Sequence, residues 1–497
     1  QASGYTSNTI LEDGPKDTQV KTNAVNMGAT APEVVAPTPT SQGVASLQVA
    51  QTTEKKKIPL PVIIVAAVVL VLGVGGFFLW NWLSVDDAPV AVTAPEAIVL
   101  DYWGLWESSA SLNEVFRLFT AENPGISVNY IKQSEVGYLA ALQGAMAAGG
   151  GPDIFRFHAT WVPQLVHNLD VMPHWVMTPE YFEQNHYPVM FEQLSRNYGT
   201  QIVGMPLMYE GLALLYNVEE FNRAGVAVPT TWGEFRNVAN ILTETNEYGQ
   251  IMFAGAAIGL ADNVDHFSDL LALLIVQNGG DLRNLNSQEV QDALSFYSSF
   301  YNPVDHNVRV WDSSFERSKF AFARGEVAMI FAPSWAMYDI WIVNPGMSVG
   351  VAQVPQLDDR QPVGWATYWV EGVNNNSPAP RREAAWRLLN FMNRPDILEI
   401  VYGRQTDVRE FGTMFPRPEM AGLQANDRFL QPYLAQAPYA VSYFFAGATF
   451  DDGLNQRMID ALGNAVNAVN QGRITVDRVA RDLHDNVSRI LRDFPIE

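Results

Sequence analysis

The residues of this chain that could do chemistry are aromatic rings set beside carboxylates. Trp106 is followed by Glu107, Tyr209 by Glu210 and Phe450 by Asp451, and 13 tryptophans are spread along the sequence. A ring offers a flat apolar face and a carboxylate offers planar acceptors. Together they suit a polyhydroxylated solute, whose C–H face stacks while its hydroxyls donate. Arg156 and His158 add donors at one strand end, with Trp161 close behind. Each of these residues also has an ordinary structural use. A carboxylate near a strand end can be a solvated loop charge or a helix cap, and a buried histidine is commonly just hydrogen-bonded. Trp103 and Trp161 suit a core, and Trp232 begins a helix that should pack on its own lobe.

Signatures of reaction chemistry are missing. There is no His-Glu-x-x-His and no His/Asp set at metal-ligand spacing. There is no Gly-x-Ser-x-Gly elbow. The glycines at 149–151 lack the Lys and Ser/Thr of a phosphate loop, so they read as a turn. No local motif suggests the carboxylate pair of a glycoside hydrolase. With no cysteine, disulfides, thiolate metal sites and a lipid-modified N-terminal Cys are all excluded. The expectation is a binding protein without cofactor or metal, not an enzyme.

The formal net charge is −22, and residues 1–57 balance five acidic against five basic side chains, so the whole deficit lies beyond them. Such an acidic body repels nucleic acid and anionic lipid, and suits neutral or cationic solutes. No nucleic-acid partner is expected.

Ile58–Leu83 carries no charge and is long enough, at about 1.5 Å per residue, to cross the roughly 30 Å of bilayer hydrocarbon. Lys55, Lys56 and Lys57 precede it and Asp86 and Asp87 follow, so the positive-inside rule puts the N-terminus in the cytoplasm. Trp80 and Trp82 fall at the outer aromatic belt. A cleavable signal peptide is the rival reading, but its apolar region should be shorter, and the small-residue site Val92-Thr93-Ala94 is followed by Pro95. The glycine cluster Gly73, Gly75 and Gly76 and the lysine flank argue against a core helix. Residues 1–57 have the composition of a disordered cytoplasmic tail, and 84–96 that of a Pro/Ala linker.

From Ala97 onward strand and helix patterns alternate. Ala97–Tyr102 is a β-rich run. A capping box, Ser111-Leu112-Asn113-Glu114, then precedes a helix with Leu112, Val115, Phe116 and Phe119 on one face. Asn123-Pro124-Gly125 stops that helix. Ile126–Tyr130 is a strand, Val136–Ala148 a helix and Asp153–Phe157 a strand, which together predict a parallel sheet with covering helices. Thr231-Trp232-Gly233-Glu234 is a second capping box, and a last amphipathic helix follows Thr475. About 400 residues of this kind suit two α/β lobes.

At this point the order of motifs resembles the sugar-type extracellular solute-binding proteins of ABC importers, the maltodextrin-binding relatives. The resemblance runs from about Ile98 to Leu491. It is carried by Trp103–Glu107, Gly150-Gly151-Pro152-Asp153-Ile154, Gly204-Met205-Pro206-Leu207, Leu215-Tyr216-Asn217 with Phe221, Gly225, Pro229 and Thr231–Phe235, and Gln277–Gly280. Further on it includes Phe322-x-x-Gly325-x-x-Ala328-Met329, Ser334-Trp335, Val363-Gly364-Trp365, Ala384–Met392 and Gln471–Val479.

The resemblance implies an α/β, two-lobed, periplasmic-binding-protein-like fold with a hinge, here preceded by one transmembrane helix. Lobe 1 would span about 97–207 and 370–412, and lobe 2 about 208–365 and 415–497. The solute would lie between the lobes, against Trp106, Glu107, Arg156, His158, Tyr209, Glu210, Trp335, Trp365, Tyr368, Phe450 and Asp451, with Trp161 and Trp369 nearby. Its partners would be a small solute, most readily a sugar, the permease subunits of an ABC importer, and the membrane through Ile58–Leu83. The anchor and the tail depart from the usual family pattern and admit a second reading, a ligand sensor coupled to a signalling partner.

Overall fold

The structure, a computed structural model, describes residues 97–494 apart from 304–307, 358–359, 448, 450 and 452, together with four separate positions between 71 and 76. The expected tail, membrane helix and linker lie outside the described residues but for those four. Among the described residues no helix is long and apolar enough to cross a membrane. Thr93–Glu497 form one compact unit.

The chain enters lobe 1 through strand β1 (Ile98–Gly104), helix α1 (Ser109–Glu122), strand β2 (Ile126–Lys132), helix α2 (Tyr138–Ala147) and strand β3 (Ile154–His158). It then passes to lobe 2, with strand β4 (Ala213–Asn217), helices α3 (Trp232–Leu242), α4 (Phe267–Gln277) and α5 (Ser318–Ala323), strand β5 (Met329–Ala332), helix α6 (Ala336–Val343) and strand β6 (Val349–Ala352). Strands β7 (Gly364–Trp365) and β8 (Trp369–Val373) carry it back, and helix α7 (Ala379–Met392) covers lobe 1 again. Strand β9 (Ala440–Val441) and helices α8 (Leu454–Gln471) and α9 (Val476–Leu491) close lobe 2.

The lobe 1 sheet has the order β8-β3-β1-β2. β1 is parallel to β2 and β3, as the strand–helix alternation demands, and β8 joins antiparallel because it arrives from the other lobe. The lobe 2 sheet, β6-β4-β5, is antiparallel throughout.

Helix starts follow local chemistry. Thr231 and Glu234 form the expected capping box, each side chain accepting from the other's backbone N–H. The first helix begins earlier than its proposed box. Ser108 is the cap, accepting from Ser111 N at 3.3 Å, and Glu114 instead pairs with Arg404. Leu112, Val115, Phe116 and Phe119 are all buried on the face predicted for them. Thr475 caps α9, whose Val479, Ala480, Leu483, Val487 and Ile490 are buried.

Three passages between the lobes are stitched together by backbone bonds. Met205 and Glu371 exchange N–H···O bonds of 2.8 and 3.0 Å, Leu212 N donates to Trp365 O at 3.0 Å, and Tyr209 N donates to Met414 O at 2.9 Å. Residues 413–424 still pack on lobe 1, where Gln424 accepts from Phe415 N and Arg417 reaches Asn393. The chain rejoins lobe 2 by Tyr433, whose hydroxyl donates to Ala332 O at 2.9 Å.

Alternation on the lobe 1 sheet decides which residues share a face. Arg156 and Glu371 stand directly opposite in register, as do Trp369 and His158, while Tyr102 pairs with Ile154 on β3 and with Tyr130 on β2. Side chains two apart point the same way, so Tyr130, Tyr102, Arg156, His158, Glu371 and Trp369 lie on one face. Gly104 completes that face by carrying nothing. A Cβ there would run into the Tyr130 ring and hydroxyl, which donates to Glu107 O at 3.1 Å. Gly104→Ala should therefore cost about 1–3 kcal/mol through overpacking, read as a lower urea midpoint. The Gly104→Ala/Tyr130→Leu double variant should recover part of the loss; no recovery would mean that the ring is not the obstacle.

Candidate functional site

The strongest concentration of aromatic and charged side chains forms a continuous arc across the hinge. It starts on lobe 1 at Trp106, which is 39% exposed and stands edge-on to Trp369 at 4.9 Å between ring centroids. Trp369 touches Trp161 at 5.1 Å and His158 at 5.2 Å. The His158 ring meets Thr367 of the hinge, Nε2 to Oγ1, at 3.1 Å, and Thr367 N donates to Glu210 O. Gly447 fits against this pair: a Cβ there would lie 2.5 Å from Thr367 Oγ1 and 3.1 Å from His158 Nε2. Its N–H donates to Asp269 Oδ1 at 2.8 Å. Asp269 faces His266 Nδ1 at 3.2 Å, and the His266 ring contacts Trp335 of lobe 2 at 5.9 Å. Trp335 is 44% exposed, so the arc ends, as it began, on an accessible indole.

Charge on the lobe 1 side is locked into a triad. Arg156 donates through Nε to Glu371 Oε1 at 2.7 Å and also pairs with Glu107. Arg156 and Glu371 are buried, whereas Glu107 keeps partial access beside Trp106. Burial pushes the Glu371 carboxyl up, opposed by Arg156. The guanidinium also lies 5.8 Å from the Trp106 ring centroid. Lys132 reaches the Trp106 carbonyl at 3.0 Å from the exposed rim.

On the hinge side Glu210 Oε1 accepts from Ser334 N at 3.1 Å and Gly211 N at 3.0 Å, while Oε2 accepts from Ser334 Oγ at 2.6 Å. Burial raises this carboxyl to about 7, against the pull of those donors. Asp269, with no exposure, also accepts from Trp365 Nε1 at 2.8 Å. His266 holds a left-handed φ of 58° at the start of α4. A non-glycine residue keeps that conformation only where its surroundings over-determine it, a condition common at functional sites. Here the bond to Asp269 and the contact with Trp335 hold the ring.

The residues named from the sequence separate into three groups. Trp106, Glu107, Arg156, His158, Glu210 and Trp335 come together along the arc. Tyr209, Trp365 and Tyr368 are enclosed: Tyr209 packs at a tilt against Tyr187, 4.9 Å between ring centroids, Trp365 donates to Asp269, and Tyr368 packs at the backbone of Val189. These three shape the hinge and present no open surface. Asp451 accepts from Gly453 N at 2.8 Å and Gln456 N at 3.3 Å, so it caps the start of α8. Phe450 lies outside the described residues. Trp232 packs in lobe 2 and donates to Gln277 Oε1 at 2.6 Å.

Sequence reading missed Glu371, Asp269, His266, Ser334, Thr367 and Gly447. Glu371 had a weak signal, standing two residues from Trp369 just after the return crossover. The others are brought in by the tertiary fold alone. Among the described residues no His/Asp/Glu cluster could hold a metal ion.

The family model for bacterial extracellular solute-binding proteins matches residues 114–408. The chain belongs to that family. It is a family of binding proteins, not of enzymes. A Brucella abortus protein described as a binding protein is 23% identical over 292 residues, covering 57% of this chain and 68% of that protein. Among solved structures, an ABC transporter solute-binding protein from Thermotoga lettingae bound with α-D-tagatose superposes with a TM-score of 0.60 at 23% identity, over 79% of this chain and 100% of that one. A cyclic α-maltosyl-1,6-maltose binding protein from Arthrobacter globiformis gives 0.65 at 18% identity, over 80% and 99%. The sugar-binding protein MalE of Xanthomonas citri gives 0.64 at 18%, over 80% and 98%. At these identities the likeness is one of fold, and it is the two-lobed, mixed α/β solute-binding fold.

Burial fixes a pH dependence for this solute-binding protein. His158 and His186, both enclosed, are pushed down to about 4 chiefly by desolvation. The unfolded chain takes up these protons near the ordinary histidine pKa of about 6.5, while the folded one refuses them until near 4. Stability should be full above about pH 6.5 and fall as pH drops towards 4, by about 3 kcal/mol for each histidine. Urea unfolding between pH 7 and 4 checks this. His158→Asn should flatten the slope, and an unchanged slope would show that His158 takes no part.

Proposed function

We propose that this solute-binding protein captures a carbohydrate between its lobes and delivers it to an ABC-type importer, held at the membrane by Ile58–Leu83 with its body outside. The observation that carries this reading is the pair of half-exposed tryptophans, one on each lobe, at the two ends of a polar arc. Monomeric proteins bury most indole surface. Two accessible rings, one followed by Glu107 and one preceded by the Ser334 that binds Glu210, suit a sugar's apolar face and hydroxyls. Trp106 with Glu107 serves one lobe, and Trp335 with Glu210 the other. The hinge passages run directly under the arc, so a solute touching both lobes favours the closed arrangement. The sugars bound by the structural neighbours support the same reading. The uncharged segment with its lysine flank supports the tether, and the family supports the importer.

The test is thermal unfolding of the full chain against a panel of mono-, di- and oligosaccharides, sugar alcohols, polyamines and peptides. A ligand present at 100 times its Kd stabilises the native state by about 2.7 kcal/mol, so one sugar class should raise Tm. Trp106→Ala and Trp335→Ala should each weaken that binding at least tenfold with little effect on the free protein, since both rings are half exposed. A panel with no sugar response, or a response kept by both variants, would sink the reading.

A further inference from the structure

Among the described residues, three that are not glycine hold a left-handed φ: Asn197, Tyr198 and His266. Asn197 and Tyr198 lie in the short loop between the paired strands Ser195–Arg196 and Gln201–Ile202, where a hairpin commonly calls for that conformation. His266 stands instead at the start of α4, and its side chain does not cap the helix. Its Nδ1 lies 3.2 Å from Asp269 Oδ2. A carboxylate only accepts, and Oδ1 of this one already takes the Trp365 indole N–H and the Gly447 N–H. Nδ1 therefore carries the proton, and in the neutral ring Nε2 presents a lone pair.

That lone pair is open. Among the described residues Nε2 has no hydrogen-bond partner, and the side chain keeps 12% exposure. His158 and His186 differ: each is buried and engages both ring nitrogens, with Thr160 and Thr367 in one case and Phe182 O and Asn393 in the other. The His266 ring also stands where the solute is read. It meets the ring of Trp335 edge-on, 5.9 Å between centroids and 67° between planes, and Trp335 is 44% exposed. It acts on Glu210 as well: burial raises that carboxyl, and Ser334, Gly211 and His266 oppose the rise.

We propose that His266 contacts the solute, its Nε2 accepting a hydrogen bond from a hydroxyl of the carbohydrate, and that Asp269 is the positioning residue that fixes the tautomer and aim of the ring. This rests on the reading of the cleft as a carbohydrate site and adds a rule of specificity to it. An acceptor held in one tautomer selects a sugar unit with a free hydroxyl beside Trp335. It rejects the same unit without that hydroxyl, because the nitrogen is then left unpaired. The left-handed backbone at His266, a conformation that glycine or asparagine adopts with less strain, fits such a role. Asp269 also holds Trp365 of β7, so the residue that aims the ring ties it to the hinge.

The experiment is titration calorimetry on the full chain in detergent with glucose, galactose, mannose, maltose, cellobiose and maltotriose, and with the monodeoxy analogues of each. His266→Asn separates contact from structure: asparagine tolerates the left-handed backbone and its amide can donate to Asp269, but it has no second ring nitrogen. The variant should keep the Tm of the free protein and bind the sugar about tenfold more weakly or worse. One deoxy analogue should bind the wild type with the same loss, and in His266→Asn the sugar and that analogue should come within about twofold of each other. Asp269→Asn should cost as much as His266→Asn, and the double variant no more. Should Asp269→Asn fail to fold, histidine ¹⁵N spectra at pH 8 decide its role. The signal missing from His266→Asn should show a protonated Nδ1 and a bare Nε2 that shifts when sugar binds; a bare Nδ1 overturns the positioning role. Sugar affinity kept by His266→Asn but lost in Trp335→Ala overturns the proposal and leaves the carbohydrate reading standing. No binding by any sugar overturns both.

Discussion

The arrangement of this molecule depends on a carboxylate that never meets solvent. Asp269 sits at the first turn of α4 and takes hydrogen bonds from three separate parts of the chain: Trp365 in the returning hinge strand, Gly447 in the segment before α8, and His266 at the edge of the cleft. A buried charge is tolerated only when its acceptor positions are filled, so the three donors and the acid hold one another in place. Through them the hinge, the cleft surface of lobe 2 and the Gly447–Thr367–His158 junction become one piece. Trp335 is linked to Trp369 through packed rings, hydrogen bonds and the close fit of Gly447 against Thr367 and His158.

Lobe 1 meets the same problem differently. Its sheet places Arg156 opposite Glu371 and lets Glu107, from the loop after β1, close on the guanidinium from the cleft side. One cation between two carboxylates is stable because the second carboxylate is not fully withdrawn from water. Trp106 lies 5.8 Å from the guanidinium and packs edge-on against Trp369. Each lobe thus presents an accessible indole near an acid, Trp106 beside Glu107 and Trp335 following the Ser334 that binds Glu210, with the lobe 1 acid ion-paired to Arg156 and Glu210 held by neutral donors. That asymmetry gives the cleft a polarity a symmetric pair would lack.

Local sequence signals read through to local structure. The α1 face, the Thr231–Glu234 capping box, the last helix with its Thr475 cap, and the parallel β1–β2–β3 unit all follow from periods of 3.6 and 2 and from capping chemistry within a few residues. The proposed Ser111 box failed locally as well, because Ser108 stood closer to the turn and Glu114 found Arg404 from a distant helix. Where the pattern was silent, the missing information was long-range. The antiparallel entry of β8 and the all-antiparallel lobe 2 sheet depend on which strand arrives from which lobe.

The sequence by itself determined the class of the protein: alternating α/β elements in two lobes, an acidic body, no reaction motif, and the order of motifs that places it among solute-binding proteins. It also picked out Trp106, Glu107, Arg156, His158, Glu210 and Trp335, because ring and acid types near strand ends are visible as letters. Only the tertiary structure decided which rings are open and which enclosed. Trp365 and Tyr368 read like Trp335 in the sequence, yet the hinge wraps them while Trp335 stays half exposed. Only the tertiary structure, too, brought Glu371, Asp269 and His266 to their partners, up to 215 residues away for the Arg156–Glu371 bond. Pairing and burial are properties of distance in space, and a chain that crosses between its lobes three times separates those distances from anything a local pattern records.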